Sequence, residues 1–176
     1  MMAAGRDGNV GVAKAGAKLA GVAKLSKHGK LLISMSMYQK GKAFLGASIL
    51  LRKHDTGEAT EYVALHIFCQ GLETLLKGLL LLHDYDSFQP RLIKLGHRLP
   101  ILIEVTSKTY RLKPMSALLL AEVTNLGKFY ATERLRYGSG IDILISPHSI
   151  ESKRIRRRIY AAIKLSERQL AKGGVL

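Results

Sequence analysis

Residues 62–82 read YVALHIFCQGLETLLKGLLLL, and this run decides the fold class. Tyr62, Leu65, Cys69, Leu72, Leu76 and Leu79 recur at spacings of 3, 4, 3, 4 and 3. That is the period of one face of an α-helix, held for about five turns. Val63, Ile67, Phe68, Leu75, Leu80 and Leu82 widen the apolar surface beyond a single stripe. A helix this apolar belongs at the centre of a bundle. The pattern predicts one continuous helix over 61–82, capped by Thr60 and ending near His83, before Asp84-Tyr85-Asp86-Ser87.

The flanks extend the same reading. A long helix is expected from about Leu31 to Lys53, with Met37, Phe44, Ala47 and Leu51 on one face and Leu45 and Ile49 beside them. Gln89-Pro90 begins a short helix through Leu95. Gly96 and Pro100 then break the chain, or start a new helix with Pro100 in its first turn. Ile101, Leu102, Val105 and Tyr110 are expected to face inward. Lys113-Pro114 opens the next helix, whose stripe is Leu119, Val123, Leu126 and Tyr130. Residues 133–140 form a charged exit into a flexible loop, and Ile141, Ile143 and Ile145 alternate too briefly to establish a strand. Ser146-Pro147 opens the last helix, with Ile155, Ile159, Ala162, Ile163 and Leu170 on its apolar side and Lys172-Gly173-Gly174 as its stop. The expectation is all-α, a bundle of about five helices over 31–176. Residues 1–30, rich in Gly, Ala and Lys, are read as a flexible basic arm.

Length and charge narrow the function. At 176 residues, 47% of them apolar, there is room for one cored domain. The single cysteine, Cys69, excludes an internal disulfide and a Cys-rich zinc site. On the apolar stripe it reads as inert core. No uninterrupted apolar run approaches the roughly 20 residues of a membrane span, so a cytoplasmic chain with no membrane partner is expected. The net charge is +15, and it sits at the ends. Residues 1–30 contribute +5 and residues 151–176 contribute +6, leaving +4 for the 120 residues between. Such asymmetry points to an anionic partner: RNA, DNA, a nucleotide or an acidic protein. On the last helix Lys153, Arg157, Lys164 and Arg168 share a stripe, with Arg154 and Arg158 beside it. Tyr160 is the lone interleaved aromatic, so phosphate contact without base stacking is expected. No His is paired at i, i+4 with another His, Gly138-Ser139-Gly140 is no P-loop, and no cofactor is indicated.

Four segments together carry a family resemblance. These are an opening helix with Tyr38, Phe44 and Leu51; Gln70-Gly71-Leu72-Glu73-Thr74-Leu75-Leu76-Lys77; Leu95-Gly96-His97-Arg98-Leu99; and Tyr130 through Arg134-Leu135-Arg136-Tyr137. In order and spacing, residues 37–170 resemble a HEPN domain (higher eukaryotes and prokaryotes nucleotide-binding). The resemblance implies an all-α bundle, commonly a homodimer. Some members are metal-independent ribonuclease toxins, paired with an antitoxin or a nucleotidyltransferase and marked by Arg, four to six residues, then His. Others bind nucleotides, RNA or protein partners without catalysis. Here Arg91 and His97 fit that count with five residues between them. His97 would take the 2′-hydroxyl proton and Arg91 would stabilise the charged phosphorane. Gly96 separates the pair, so the expectation is a non-catalytic module, with His97 hydrogen-bonded to backbone near a helix start. Glu73, Arg134, Arg136 and Tyr137 are cleft candidates. Glu73 is expected to pair with Lys77, or to hold the Arg134–Tyr137 exit. A protein-interaction subunit gripping an acidic partner is the third class.

Overall fold

The computed structural model describes residues 25–54, 57–132 and 153–174. These form six helices and no strand: α1 (Lys27–His54), α2 (Glu58–His83), α3 (Tyr85–Leu95), α4 (Leu99–Thr109), α5 (Ala117–Ala131) and α6 (Lys153–Lys172). The fold class is all-α. Residues 1–24 of the expected arm lie outside the described residues, and α1 begins at Lys27, inside the segment assigned to that arm.

α1 and α2 pack antiparallel at very short range. A Cβ on Gly41 would lie 2.4 Å from the Leu75 backbone nitrogen. One on Gly78 would lie 2.6 Å from that of Tyr38, and one on Gly71 2.9 Å from that of Leu45. Large residues therefore sit over small ones: Tyr38 over Gly78, Leu45 over Gly71, Leu75 over Gly41. The buried face of α1 is Ser34, Tyr38, Gly41, Leu45 and Ser48. This corrects the expected face of Met37, Phe44, Ala47 and Leu51, which is only half-buried, and Ile49 is 48% exposed. The apolar pattern misleads because the closest approach is made by glycine and serine.

α2 is the continuous central helix that the leucine spacing predicts. Leu65, Cys69, Leu72, Leu76 and Leu79 are buried, while Tyr62 is half-buried and Val63 is exposed near its start. Its cap is Gly57 and not Thr60, which lies inside the first turn. Taken whole, Thr60–His83 is long and apolar enough to cross a bilayer, unlike its separate apolar runs. Most of that surface is covered by the other helices, as a core helix requires.

α3 starts earlier than Gln89-Pro90 because of Asp84. Its side chain accepts from the Ser87 amide at 3.1 Å and from the Ser87 hydroxyl at 2.6 Å, starting α3 immediately after α2. Pro90 consequently lies inside α3 and does not open it. Gly96 ends α3 with φ of +53°, a conformation open to glycine at little cost. α4 then starts with Pro100 in its first turn, as expected. Tyr110 anchors the end of α4 by donating to the Leu79 carbonyl of α2 at 2.7 Å. α5 begins later than Lys113-Pro114, at a Ser116 cap, and buries Leu119, Val123, Leu126 and Tyr130. On α6 the predicted Ile155, Ile159, Ile163 and Leu170 are buried, and Ala162 is half-buried. The expected 133–140 loop, the Ile141–Ile145 alternation and the Ser146-Pro147 cap lie outside the described residues.

Candidate functional site

Three chain segments meet at Glu73. Its carboxylate is 5% exposed, in the middle of the leucine-rich helix. One oxygen accepts from Lys77 Nζ at 2.6 Å, one helical turn along. The other accepts from the Tyr130 hydroxyl of α5 at 2.6 Å and lies 2.9 Å from His97 Nδ1 in the α3–α4 turn. The Tyr130 hydroxyl also lies 2.9 Å from Gln70 Oε1. Tyr130 stands between two imidazoles, with ring centroids 5.9 Å from His66 and 6.0 Å from His97. Burial pushes the Glu73 carboxyl up. Hydrogen bonds from Lys77, Tyr130 and His97 together outweigh burial and hold it below its ordinary value.

An ionised Glu73 accepts only, so Nδ1 of His97 carries the proton and donates. Nε2 is then the acceptor of the ring, on a side chain 64% exposed. The bond corrects the expectation that His97 is held by backbone. Arg91 is exposed on α3, and among the described residues no hydrogen bond or ion pair joins it to His97. Arg134, Arg136 and Tyr137 lie outside the described residues, so the bond expected between Glu73 and that exit falls there too. Tyr130, Gln70 and His66 are the members that residue chemistry alone did not single out. The signal was available in part, since Gln70 and Tyr130 open two of the four segments singled out by order and spacing.

A second feature is electrostatic. α1 carries six Lys and Arg and no acid. α6 carries eight against one acid, Glu167. Side chains of the two helices meet at two places, in antiparallel order. Near one end of the contact the Tyr38 hydroxyl donates to Glu167, and Lys42 reaches the same carboxylate oxygen at 3.1 Å. Toward the other, Ile49 of α1 and Arg156, Arg157 and Tyr160 of α6 enclose an open depression of about 280 Å³. The single acid of the pair is thus neutralised in place. Burial raises the Glu167 carboxyl, but the bonds from Tyr38 and Lys42 lower it further, to below its ordinary value. Burial, then the bond to Glu167, push the Tyr38 phenol well above its own.

Arg157, Lys164 and Arg168 are exposed along one stripe of α6. Lys42, Ile49 and Lys53 follow one stripe of α1 beside it. Arg158 departs from the expected grouping, because it lines a cavity on the α4–α5 side of α6. The side chains of Lys153 and Arg154 lie outside the described residues. Among the described residues no three His, Cys, Asp or Glu converge on a point where a metal ion could sit.

Compared with protein-family models, curated proteins and solved structures, the chain matches none.

Proposed function

We propose that this chain is a HEPN-like helical module that binds RNA, or another nucleic acid or nucleotide, through the paired surface of α1 and α6. One observation carries the reading. Lys42 and Lys53 of α1 and Arg157, Lys164 and Arg168 of α6 lie exposed on stripes beside each other, and the one acid on these two helices, Glu167, is already engaged by Tyr38 and Lys42. A surface of this kind attracts phosphates by displacing their counterions, without reading sequence. The resemblance is supported by geometry as well: Gln70, Glu73 and Lys77, then His97, then Tyr130 come from three of the four segments that carry it, and they meet in one cluster. Homodimerisation and a cytoplasmic setting belong to the same proposal, whereas a partner antitoxin or nucleotidyltransferase would go with the ribonuclease reading.

The test is fluorescence anisotropy with a labelled, unstructured RNA at two salt concentrations. Affinity falls steeply with salt, and Arg157→Glu with Lys164→Glu lowers it across all sequences while the helical signal is unchanged. Salt-independent affinity, or no binding at low salt, overturns the reading and favours an acidic protein partner.

A second reading, a metal-independent ribonuclease, is favoured by the Glu73–His97 pair, which leaves an acceptor nitrogen on an exposed ring. Against it, no hydrogen bond joins an arginine to that ring among the described residues. Cleavage of RNA in chelator that disappears in His97→Ala, with the fold intact, would replace the binding-module reading by this one.

A further inference from the structure

Three adjoining cavities run inward from the surface between α4, the 110–116 connection, α5 and α6. The outer one is about 380 Å³, within the range of sites that hold small organic ligands. Its walls are Leu112, Pro114, Met115 and Leu120. The middle one, about 80 Å³, lies against Ile103, Val123 and Ile159. The innermost, about 30 Å³, reaches Leu72 and Leu76 of the central helix. Ser107 and Leu112 line all three, so the spaces are neighbours that share walls.

The mouth and the floor differ in chemistry. Lys108, Arg111, Lys113 and Arg158 line the outer and middle cavities, against one acid, Glu104. Glu104 is bound by Lys108 at 2.6 Å, which leaves Arg111, Lys113 and Arg158 with no carboxylate partner among the described residues. At the inner end Thr106 is 2% exposed, and its Oγ1 has no hydrogen-bond partner among the described residues. A buried hydroxyl is ordinarily satisfied, so an unpaired one on the wall of this small inner cavity marks a place for a water. Arg111, with φ of +51°, and Leu112 form the left-handed cap that ends α4, their amides bonding back to Lys108 O at 3.2 Å and Ser107 O at 2.8 Å, which holds the 110–112 turn at the edge of the cavities.

We infer that the outer and middle cavities bind a small amphipathic anion: a carboxylate beside the cationic side chains, with an apolar chain or ring against Leu112, Met115 and Leu120. Apolar walls with three hydroxyls, those of Thr106, Ser107 and Ser166, offer too few donors and acceptors for a nucleobase. The site stands on the opposite side of α6 from the α1 groove and does not rest on the polyanion reading.

The experiment is calorimetric titration of the full chain with sodium decanoate, with decanol and decylammonium as controls for the head group. Decanoate binds one per chain and perturbs the methyl resonances of Leu112 and Met115. Arg111→Glu with Arg158→Glu, both exposed positions, weakens it at least tenfold without unfolding the chain, and decylammonium binds at least tenfold more weakly than decanoate. No binding of decanoate at millimolar concentration overturns the inference. So does equal affinity for the cation, uptake of anionic lipid vesicles but not of free decanoate, or a self-associated chain in which a second copy covers the mouth.

Discussion

Nδ1 of His97 lies 2.9 Å from Oε2 of Glu73, and the two residues are 24 positions apart in the chain. One sits in a turn forced by Gly96, the other on a helix that is otherwise nearly continuous hydrocarbon. A carboxylate buried among leucines is stable as an anion only when donors surround it. Lys77, Tyr130 and His97 are those donors, each from a different local structure. Glu73 therefore joins α2, α5 and the α3–α4 turn at one point. Glu73→Ala leaves Lys77 and Tyr130 without that acceptor, and a loss of about 3 kcal/mol in a denaturant melt is expected, as when one member of a buried ion pair is removed.

The pH dependence follows from the same bonds. Glu73 is held below its ordinary value of 4.5, so the folded chain binds this proton more weakly than the unfolded chain. Its contribution to stability is present above 4.5 and is lost as pH falls through the folded value. Glu167 is shifted in the same direction and adds to the slope. Urea melts over about pH 3 to 7 should show stability falling on the acid side, with a shallower slope in Glu73→Gln. An unchanged slope in that variant would place the acid sensitivity elsewhere.

The α1–α2 contact makes two glycines of one helix behave oppositely. Gly41→Ala drives a methyl to 2.6 Å from the Leu75 Cα, backbone that cannot swing aside. It should cost about 3 kcal/mol or force the helices apart. Gly46 has nothing within 4 Å of its would-be Cβ. Gly46→Ala should raise stability by about 0.5–1 kcal/mol through helix propensity. Thermal melts of the two variants decide the matter, since close packing predicts opposite signs.

Leu72 is 1% exposed at the middle of α2. Leu72→Ala should destabilise by about 2–5 kcal/mol, the range for deleting a buried leucine side chain. A change near zero would contradict its central place.

On the basic surface, charge should matter more than the aromatic. Tyr160 is half-buried and packs edge-on against Phe68 at 6.5 Å between centroids. Tyr160→Ala should lower stability yet reduce RNA affinity less than Arg157→Glu with Lys164→Glu. In the wild type, log K should fall about 0.7 per phosphate contact for each tenfold rise in salt. Anisotropy that singles out Tyr160 would mean base stacking instead.

The sequence by itself determined the all-α class, the span of the central helix, the buried stripes of α5 and α6, and the basic ends, because a 3-4 apolar period and a charge count are local properties. It also marked Glu73 with Lys77, since i, i+4 neighbours on a helix must meet. The face of α1 was not legible: Gly41, Ser34 and Ser48 carry no hydrophobic signal, and only a partner helix at short range explains their burial. Nor was the start of α3, where the side chain of Asp84 turned an expected linker into a helix cap. The separation of Arg158 from Arg157 followed from which neighbour each side of α6 meets. The union of Glu73 with His97 and Tyr130 was decided by tertiary structure alone, because a buried carboxylate takes its donors from whatever segments the packing brings within 3 Å, and distance along the chain does not enter.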